Sequence, residues 1–384
     1  MQFELTSDQT LIRQTVREFA EKNVRPIAAK ADQEKRWPAE NIPKMAELGL
    51  LGLNTPAELG GAGADMVSYA IAIEELSRVC ASHGVIASVN NSLYLWPVTT
   101  FGTAAQHEKF AKPYAQGHKL GAYGLSEPVA GSDPAGGQST AVKKGDHFVL
   151  NGQKNFITNG GHADTVIVFC KTDPSQRHKG MSALLVEKGM PGFTWSEPEH
   201  KVGIRAAHST QLYFDNVEVP HENLLGKEGD GFKIAMKTLD GGRIGIAAQA
   251  LGIAQACLEE SIAYAKEREQ FGKPIADFQA IQFKLADMAM RVQAARLLTY
   301  QAASLKDAGK DYGPAAAMAK CYAGDTAMWA ATECVQIHGG NGYTTDYAAE
   351  RHFRDAKITQ IYEGTNEIQR VVIGGALLKG WLPQ

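Results

Sequence analysis

The chain has 384 residues, 44% of them hydrophobic and 21% charged, with a net charge of -3. That length allows two or three domains and a core that needs no disulfide or metal to hold it, and the near-neutral balance argues against nucleic acid or an anionic membrane surface as a partner. No apolar run is long enough to span a bilayer, and the opening Met1-Gln2-Phe3-Glu4 carries neither a secretory nor a transit pattern. The five cysteines are odd in number and include no CxxC pair. They read as reduced core thiols of a cytoplasmic protein, with a processed mitochondrial matrix protein as the second choice.

Residues 1–120 read as an N-terminal α-helical domain. Thr6-Ser7-Asp8-Gln9 fits a capping box, followed by an apolar face of Leu11, Ile12, Val16 and Phe19. Gly60-Gly61-Ala62-Gly63 breaks the chain, and Asp65 can cap a second helix with Val67, Ala70, Ile73 and Leu76 along one side. Residues 121–230 change pattern to a small β domain. The turn signal Lys144-Gly145-Asp146 precedes Phe148-Val149-Leu150, and Val166-Ile167-Val168-Phe169 and Ala183-Leu184-Leu185-Val186 are short apolar runs. Leu212, Phe214, Val217 and Val219 alternate with polar neighbours. Residues 231–384 are helical again. Ile281, Leu285, Met288, Val292, Ala295 and Ala302 form a seam, and Gly309, Gly313-Pro314 and Gly339-Gly340 separate long helices of an antiparallel bundle. The fold class is therefore α+β, in three parts.

Several chemistries are absent. There is no Walker loop, no GxGxxG after a strand, no HExxH or Cys/His ligand spacing, and no GxSxG elbow. Lone histidines such as His83 and His338 read as structural. Four stretches remain. Tyr123-Gly124-Leu125-Ser126-Glu127-Pro128-Val129-Ala130-Gly131-Ser132-Asp133 leaves a strand and offers N–H groups and hydroxyls to a flat polar ring or a phosphate, although on its own a polar surface turn is the favoured reading. Phe156-Ile157-Thr158-Asn159-Gly160-Gly161 repeats that mixture. Arg268-Glu269-Gln270-Phe271-Gly272-Lys273-Pro274 reads as a helix end with Arg268 and Phe271 on one face, which suits a pyrophosphate beside an aromatic ring. Gln336-Ile337-His338-Gly339-Gly340-Asn341-Gly342 has more glycines than a helix cap requires, as a close approach by another group would demand.

Near the C-terminus, Ile361-Tyr362-Glu363-Gly364-Thr365 sets a carboxylate after an apolar pair. Desolvation there raises its pKa toward neutrality, as a general base requires. On these residues alone, a loop acid at a helix start with Thr365 as N-cap is the stronger reading.

Taken together, the motifs Leu125-Ser126-Glu127-Pro128-x-x-Gly131-Ser132, Phe156-Ile157-Thr158-Asn159-Gly160, Asp240-Gly241-Gly242-Arg243, Arg268-x-x-Phe271-Gly272, Gln336-Ile337-x-Gly339-Gly340 and Tyr362-Glu363-Gly364-Thr365 change that balance. In this order and spacing the chain resembles an acyl-CoA dehydrogenase over nearly its whole length. Ser88-Val89-Asn90-Asn91-Ser92-Leu93-Tyr94-Leu95 and Thr238 to Gly245 look like the short-chain, butyryl-CoA branch. The resemblance implies an α-helical domain, a β-barrel-like domain and a four-helix bundle, assembled as a homotetramer. FAD would lie between the last two, with a neighbouring subunit completing its site.

It also implies roles. Glu363 would remove the α proton of a short-chain acyl-CoA while the β hydrogen leaves as hydride to the flavin, giving a trans-2-enoyl-CoA. The Glu363 backbone N–H and a ribityl hydroxyl would bind the thioester oxygen; a donor of that kind is worth about 3 to 4 kcal/mol. Ser126 and Thr158 would hydrogen-bond the isoalloxazine, with Tyr123, Leu125, Gly131, Ser132, Phe156 and Ile157 around it. Thr365 and Glu367 would also contact FAD. Arg268, Phe271 and Gln279, joined by Gln336, Gly339 and Gly340, would reach the FAD of a neighbouring subunit. Ser132, Asp240 and Arg243 would contact CoA, and Gly364 would let the thioester lie close. An electron-transfer flavoprotein is the expected acceptor. Three positions depart from the pattern: Trp96 where a small residue is common near the end of the acyl pocket, His338 before the double glycine, and Phe156 where tryptophan is frequent. The competing readings are an acyl-CoA or nitroalkane oxidase, a non-catalytic acyl-CoA or flavin binder, and a helical scaffold without cofactor.

Overall fold

The computed structural model describes residues 4–383, so Met1-Gln2-Phe3 of the N-terminal reading lie outside the described residues. The first helix, Ser7–Phe19, starts at a complete capping box: Gln9 N donates to Thr6 Oγ1 (3.2 Å) and Thr6 N to Gln9 Oε1 (3.1 Å). Its buried face runs through Gln9, Val16 and Phe19. Leu11 is not on it and is 62% exposed, a correction to the expected face. Two residues from Gln9 is about 200° around the helix, which turns Leu11 to the far side. The helix Met66–Val79 is capped by Asp65, whose Oδ1 accepts from Ser68 N (2.6 Å) and whose Oδ2 accepts from Gln9 Nε2 (2.9 Å). Asp65→Ala loses both bonds and is expected to cost about 1 to 2 kcal/mol, measured as a lower denaturation midpoint at unchanged m-value. All 14 residues of that helix are buried, so no polar stripe marks its orientation.

The middle segment forms an eight-stranded sheet: β1 Gly121–Gly124, β2 Thr140–Lys144, β3 His147–Thr158, β4 Thr165–Lys171, β5 Met181–Glu187, β6 Phe193–Trp195, β7 Ser209–Pro220 and β8 Leu224–Leu225. The order is β6-β7-β3-β2-β4-β5-β8, with β1 parallel to β4. The β2–β3 pair closes through Gly145, at φ +61°, where the turn signal stands. Both faces of β4 are covered: Val166 and Val168 join an internal core with Phe148, Leu150 and Val217, whereas Ile167 and Phe169 pack into the helical core. That double burial is why β4 and β5 read as unbroken apolar runs rather than alternating ones. Two register shifts interrupt the β3–β7 ladder, and the second, between Lys154 and Ile157, puts Phe156 at φ +58° and 67% exposed. A bulge re-aims one side chain out of the ladder.

The C-terminal part is built on three long helices, Gly231–Glu267, Gln279–Asp307 and Gly313–His338, followed by Ala349–Ala356 and Asn366–Leu377. Met288, Val292, Ala295 and Ala302 are buried along the second, with Ile281 and Leu285 packed at its edge. Gly231–Glu267 also packs on the N-terminal helices. Gln249 Nε2 donates to Ala81 O (2.9 Å), and one apolar core runs from Val16 through Leu76 and Leu251 to Ala331. The two helical regions, separated in sequence by the sheet, therefore share an interior. No helix among the described residues is long and apolar enough to cross a membrane.

Candidate active site

Glu363 sits in a tight turn between the short helical turn Lys357–Gln360 and the helix Asn366–Leu377, which Thr365 caps by accepting from Ile368 N (3.3 Å). The N-cap expectation therefore holds, and the two residues before Thr365 are strained. Glu363 has φ +51° and Gly364 φ +89°. A non-glycine residue in the left-handed region persists only where its surroundings hold it. Here Gln369 Nε2 donates to the carbonyls of Glu363 (3.2 Å) and Gly364 (2.9 Å). Lys320 Nζ donates to the Gly364 carbonyl (2.7 Å) and to Asn366 Oδ1 (2.9 Å).

The carboxyl is aimed inward. Its Oε2 is buried and has no hydrogen-bond partner among the described residues. It rests against the bare backbone of Gly242, where an added Cβ would overlap it and lie 2.9 Å from Leu93 Cδ2. Burial pushes the Glu363 pKa up to about 8, with the charges of Lys320 and Arg243 pulling the other way. The expected direction is thus present, but one expected cause is not. Ile361 is exposed, and the carboxyl lies against Gly242 instead. Tyr362 anchors the other side of the turn through a hydrogen bond from its hydroxyl to Gln249 Oε1.

Around this acid the Gly231–Glu267 helix contributes Asp240 and Arg243, paired through Arg243 Nη1 (2.6 Å), with Arg243 Nε buried and unpartnered. Trp96 is half-buried, edge-on to Phe101 at 5.8 Å, with Lys306 Nζ 5.2 Å above its ring. From the sheet, the Tyr123 hydroxyl donates to Ala235 O (3.3 Å) on the same long helix. Leu125 O accepts from Lys154 Nζ (3.2 Å), which also pairs with Glu127 (2.6 Å). Asn155 N donates to Ser126 O (2.8 Å), so Ser126, Phe156, Ile157 and Thr158 form one rim. Ser132 and Gly131 lie exposed on the loop beyond, and Glu367 is exposed beside Thr365.

The remaining expected residues stand elsewhere. The helix stops at Glu267, Arg268 is extended, and Glu269–Gln270 pairs with Lys273–Pro274 as a hairpin. Phe271 (φ +55°) and Gly272 (φ +77°) form its two-residue tip. Arg268 and Phe271 therefore do not share a helical face, which corrects that expectation, and Phe271 is 94% exposed. The hairpin lies at the same bundle end as Gln336, Gly339 and Gly340, because Tyr264 stacks on His338 at 4.2 Å and accepts from Asn341 Nδ2 (3.0 Å). Gln279, at the start of the second long helix, is exposed there too. Along the Gly313–His338 helix, Lys320 and Gly339 are about 28 Å apart at roughly 1.5 Å per residue, so these six residues are not brought to Glu363 within one chain.

Both patches fit a flat ring joined to a pyrophosphate. The rim offers hydroxyls and an outward aromatic. The bundle end offers a guanidinium with no ion pair among the described residues, and a backbone at Gly339 and Gly340 where a Cβ would meet nothing within 4 Å. Sequence reasoning missed Lys320, Gln369, Gln249, Lys154 and the specific need for Gly242. One signal was available: Lys320 interrupts Ala315-Ala316-Ala317-Met318-Ala319, a run too small and apolar to surround a solvated lysine.

Family models match the chain from end to end: acyl-CoA dehydrogenase N-terminal domain at residues 6–118, middle domain at 122–217 and C-terminal domain at 229–378. The chain is 52% identical over 379 residues to a short-chain specific acyl-CoA dehydrogenase of Clostridium acetobutylicum, covering 99% of this chain and 100% of the relative. It superposes on butyryl-CoA dehydrogenase from Megasphaera elsdenii with TM-score 0.97 and 50% identity, covering 98% of this chain and 100% of that one. A chain from work on the electron transferring flavoprotein of Acidaminococcus fermentans gives TM-score 0.98 and 54% identity, covering 99% of this chain and 100% of that one. With a buried acid held at the matching motif and three consecutive domain matches, the chain belongs to the acyl-CoA dehydrogenase family.

Proposed function

We propose that this protein is an FAD-dependent dehydrogenase that converts short-chain acyl-CoA thioesters to trans-2-enoyl-CoA thioesters, with Glu363 as the base. The observation that carries this is Glu363 Oε2, buried without a hydrogen-bond partner among the described residues on a clamped turn, with burial pushing the carboxyl pKa up to about 8. Such a group takes a proton from carbon at neutral pH better than an ordinary surface carboxylate does. FAD, when bound, supplies the acceptor for the β hydrogen as hydride. The chain's own residues do the rest. Glu363 takes the α proton. Its backbone N–H, which makes no hydrogen bond among the described residues, is free to bind the thioester oxygen as charge grows there. Gly242, lacking a side chain, leaves room for the carboxyl against the long helix. Asp240 and Arg243 bind the CoA portion, with Ser132 on the exposed loop. Ser126, Thr158 and Phe156 hold the flavin ring, flanked by Tyr123, Leu125, Gly131 and Ile157, with Thr365 and Glu367 beside the base.

Arg268, Phe271, Gln279, Gln336, Gly339 and Gly340 serve the FAD of a neighbouring copy, since all six are exposed and distant from Glu363. Phe283, Met290 and Leu297 are exposed on the second long helix at heptad steps, which supports self-association, and a homotetramer is the assembly we infer. An electron-transfer flavoprotein is the proposed acceptor; its support is the likeness to the Acidaminococcus chain.

Anaerobic titration of the holoprotein with a panel of acyl-CoAs tests the reading. Butyryl-CoA is expected to bleach the flavin and yield the 2-enoyl product, with an artificial acceptor restoring turnover and oxygen consumption remaining slow. Absence of bleaching by every short acyl-CoA overturns it. Trp96 lies near the expected end of the acyl pocket, so Trp96→Gly is expected to raise kcat/KM for longer chains relative to C4 by about tenfold per methylene accommodated, measured across a chain-length series.

A further inference from the structure

Lys320 lies in the Gly313–His338 helix with no exposed surface, among Ala316, Ala317, Ala319 and Ala323. A buried ammonium is costly unless paired, yet Lys320 makes no ion pair among the described residues. Its Nζ is held by two neutral acceptors, the Gly364 carbonyl (2.7 Å) and Asn366 Oδ1 (2.9 Å). Asn366 is itself fixed, because its Nδ2 donates to Cys321 O (3.1 Å) and Asp325 Oδ1 (2.8 Å). The cation is therefore fastened to the residue after Glu363, by a bond to the carbonyl of a left-handed turn.

We propose that Lys320 is a positioning residue for Glu363: its buried ammonium fixes the turn through the Gly364 carbonyl and its charge favours the ionised, proton-accepting carboxylate. This rests on Glu363 being the base. Other groups face Glu363 from each packed element: Arg243 on the first long bundle helix, Tyr69 on Met66–Val79, Tyr123 on β1 and Tyr362 on its own turn. Of these only Arg243 is cationic, and Asp240 offsets it at 2.6 Å. Lys320 has no carboxylate within ion-pair distance among the described residues; Asp325 reaches it only through Asn366 and is itself paired with Arg370 (2.8 Å). Burial lowers its own pKa to about 8, with the charge of Glu363 opposing. Each charge thus favours the other, and the ammonium–carboxylate form is the reactive one.

The sign follows. Removing the charge leaves burial of Glu363 less opposed, so the acid limb of the pH–rate profile moves to higher pH. Lys320→Gln and Lys320→Met holoenzymes are read in parallel, so that one folded neutral variant suffices, with Lys320→Arg as the charge-retaining control. The expected result is a limb raised by about one pH unit, equivalent to an about tenfold loss of kcat/KM at pH 7. Binding of a non-oxidisable acyl-CoA thioether stays within about twofold, and Lys320→Arg recovers most of the parental limb. A limb that stays put in the neutral variants, an Arg variant shifted as far as they are, or thioether binding lost in step with rate overturns the proposal. If Glu363→Gln is inactive while the neutral Lys320 variants keep the parental limb, only the Lys320 inference falls. If Glu363→Gln stays active, the base assignment falls first.

Discussion

Glu363→Gln is expected to lower the rate of flavin reduction by butyryl-CoA by on the order of 10²- to 10⁴-fold, the usual worth of a positioned base, while thioether binding and flavin content hold. Gln keeps the shape and can still occupy the space against Gly242, but it accepts no proton. Stopped-flow reduction under anaerobic conditions is the measurement, and near-parental rates would refute the assignment. The parent should show a pH–rate limb near 8, rising as the carboxyl ionises. Stability moves the opposite way. The folded protein holds this proton more tightly than an unfolded chain with an ordinary carboxyl at 4.5 does, so the stabilising contribution is complete below 4.5 and is lost as pH rises toward about 8. Glu363→Gln removes that loss, and its melting temperature should gain on the parent between pH 5 and pH 8.5.

Gly242→Ala should be nearly as damaging to activity, by about 10²-fold, the cost of moving a reacting group by roughly 1 Å, with little change in stability. The added methyl overlaps Glu363 Oε2, a side-chain end that can swing aside, and meets Leu93 on its other side at 2.9 Å. The fold can absorb the methyl by moving the carboxyl, and that movement is what removes the base from its place. Gly241→Ala is the contrast. Its Cβ would lie 2.8 Å from Lys306 Nζ, the end of a flexible side chain remote from the proton transfer, so activity should fall only a few-fold. Equal effects of the two variants on kcat would show that Gly242 matters only as a helix residue.

The sequence carried those elements whose signals are local. The Thr6–Gln9 box, the Asp65 cap and the Gly145 turn are set by residues within four positions of one another, and each stands where its pattern pointed. Glu363 was singled out by another route: its own neighbours favoured a loop acid before a cap, and only the joint order and spacing of the six motifs pointed to a base. What could not be read was tertiary. The helix seemed to continue to Phe271 because glycine and proline also end helices, and phenylalanine gives no sign that it will take a left-handed turn position. Leu11 was misjudged because hydrophobic character alone does not say which of two adjacent faces turns inward. Lys320 acquires its role only once a helix 44 residues upstream lies beneath the turn, as the Lys320–Gly364 bond places it.

The common interior of the two helical regions has a consequence for synthesis. The Met66–Val79 helix, buried on every side in the finished fold, is complete long before the Gly231–Glu267 helix that covers part of it. At about 5–20 residues per second on the ribosome, the delay is roughly ten to forty seconds. Through that interval the nascent chain carries a helix whose apolar side chains lack their final cover while the intervening sheet is being made, and fast synthesis raises the demand for a chaperone to shelter it.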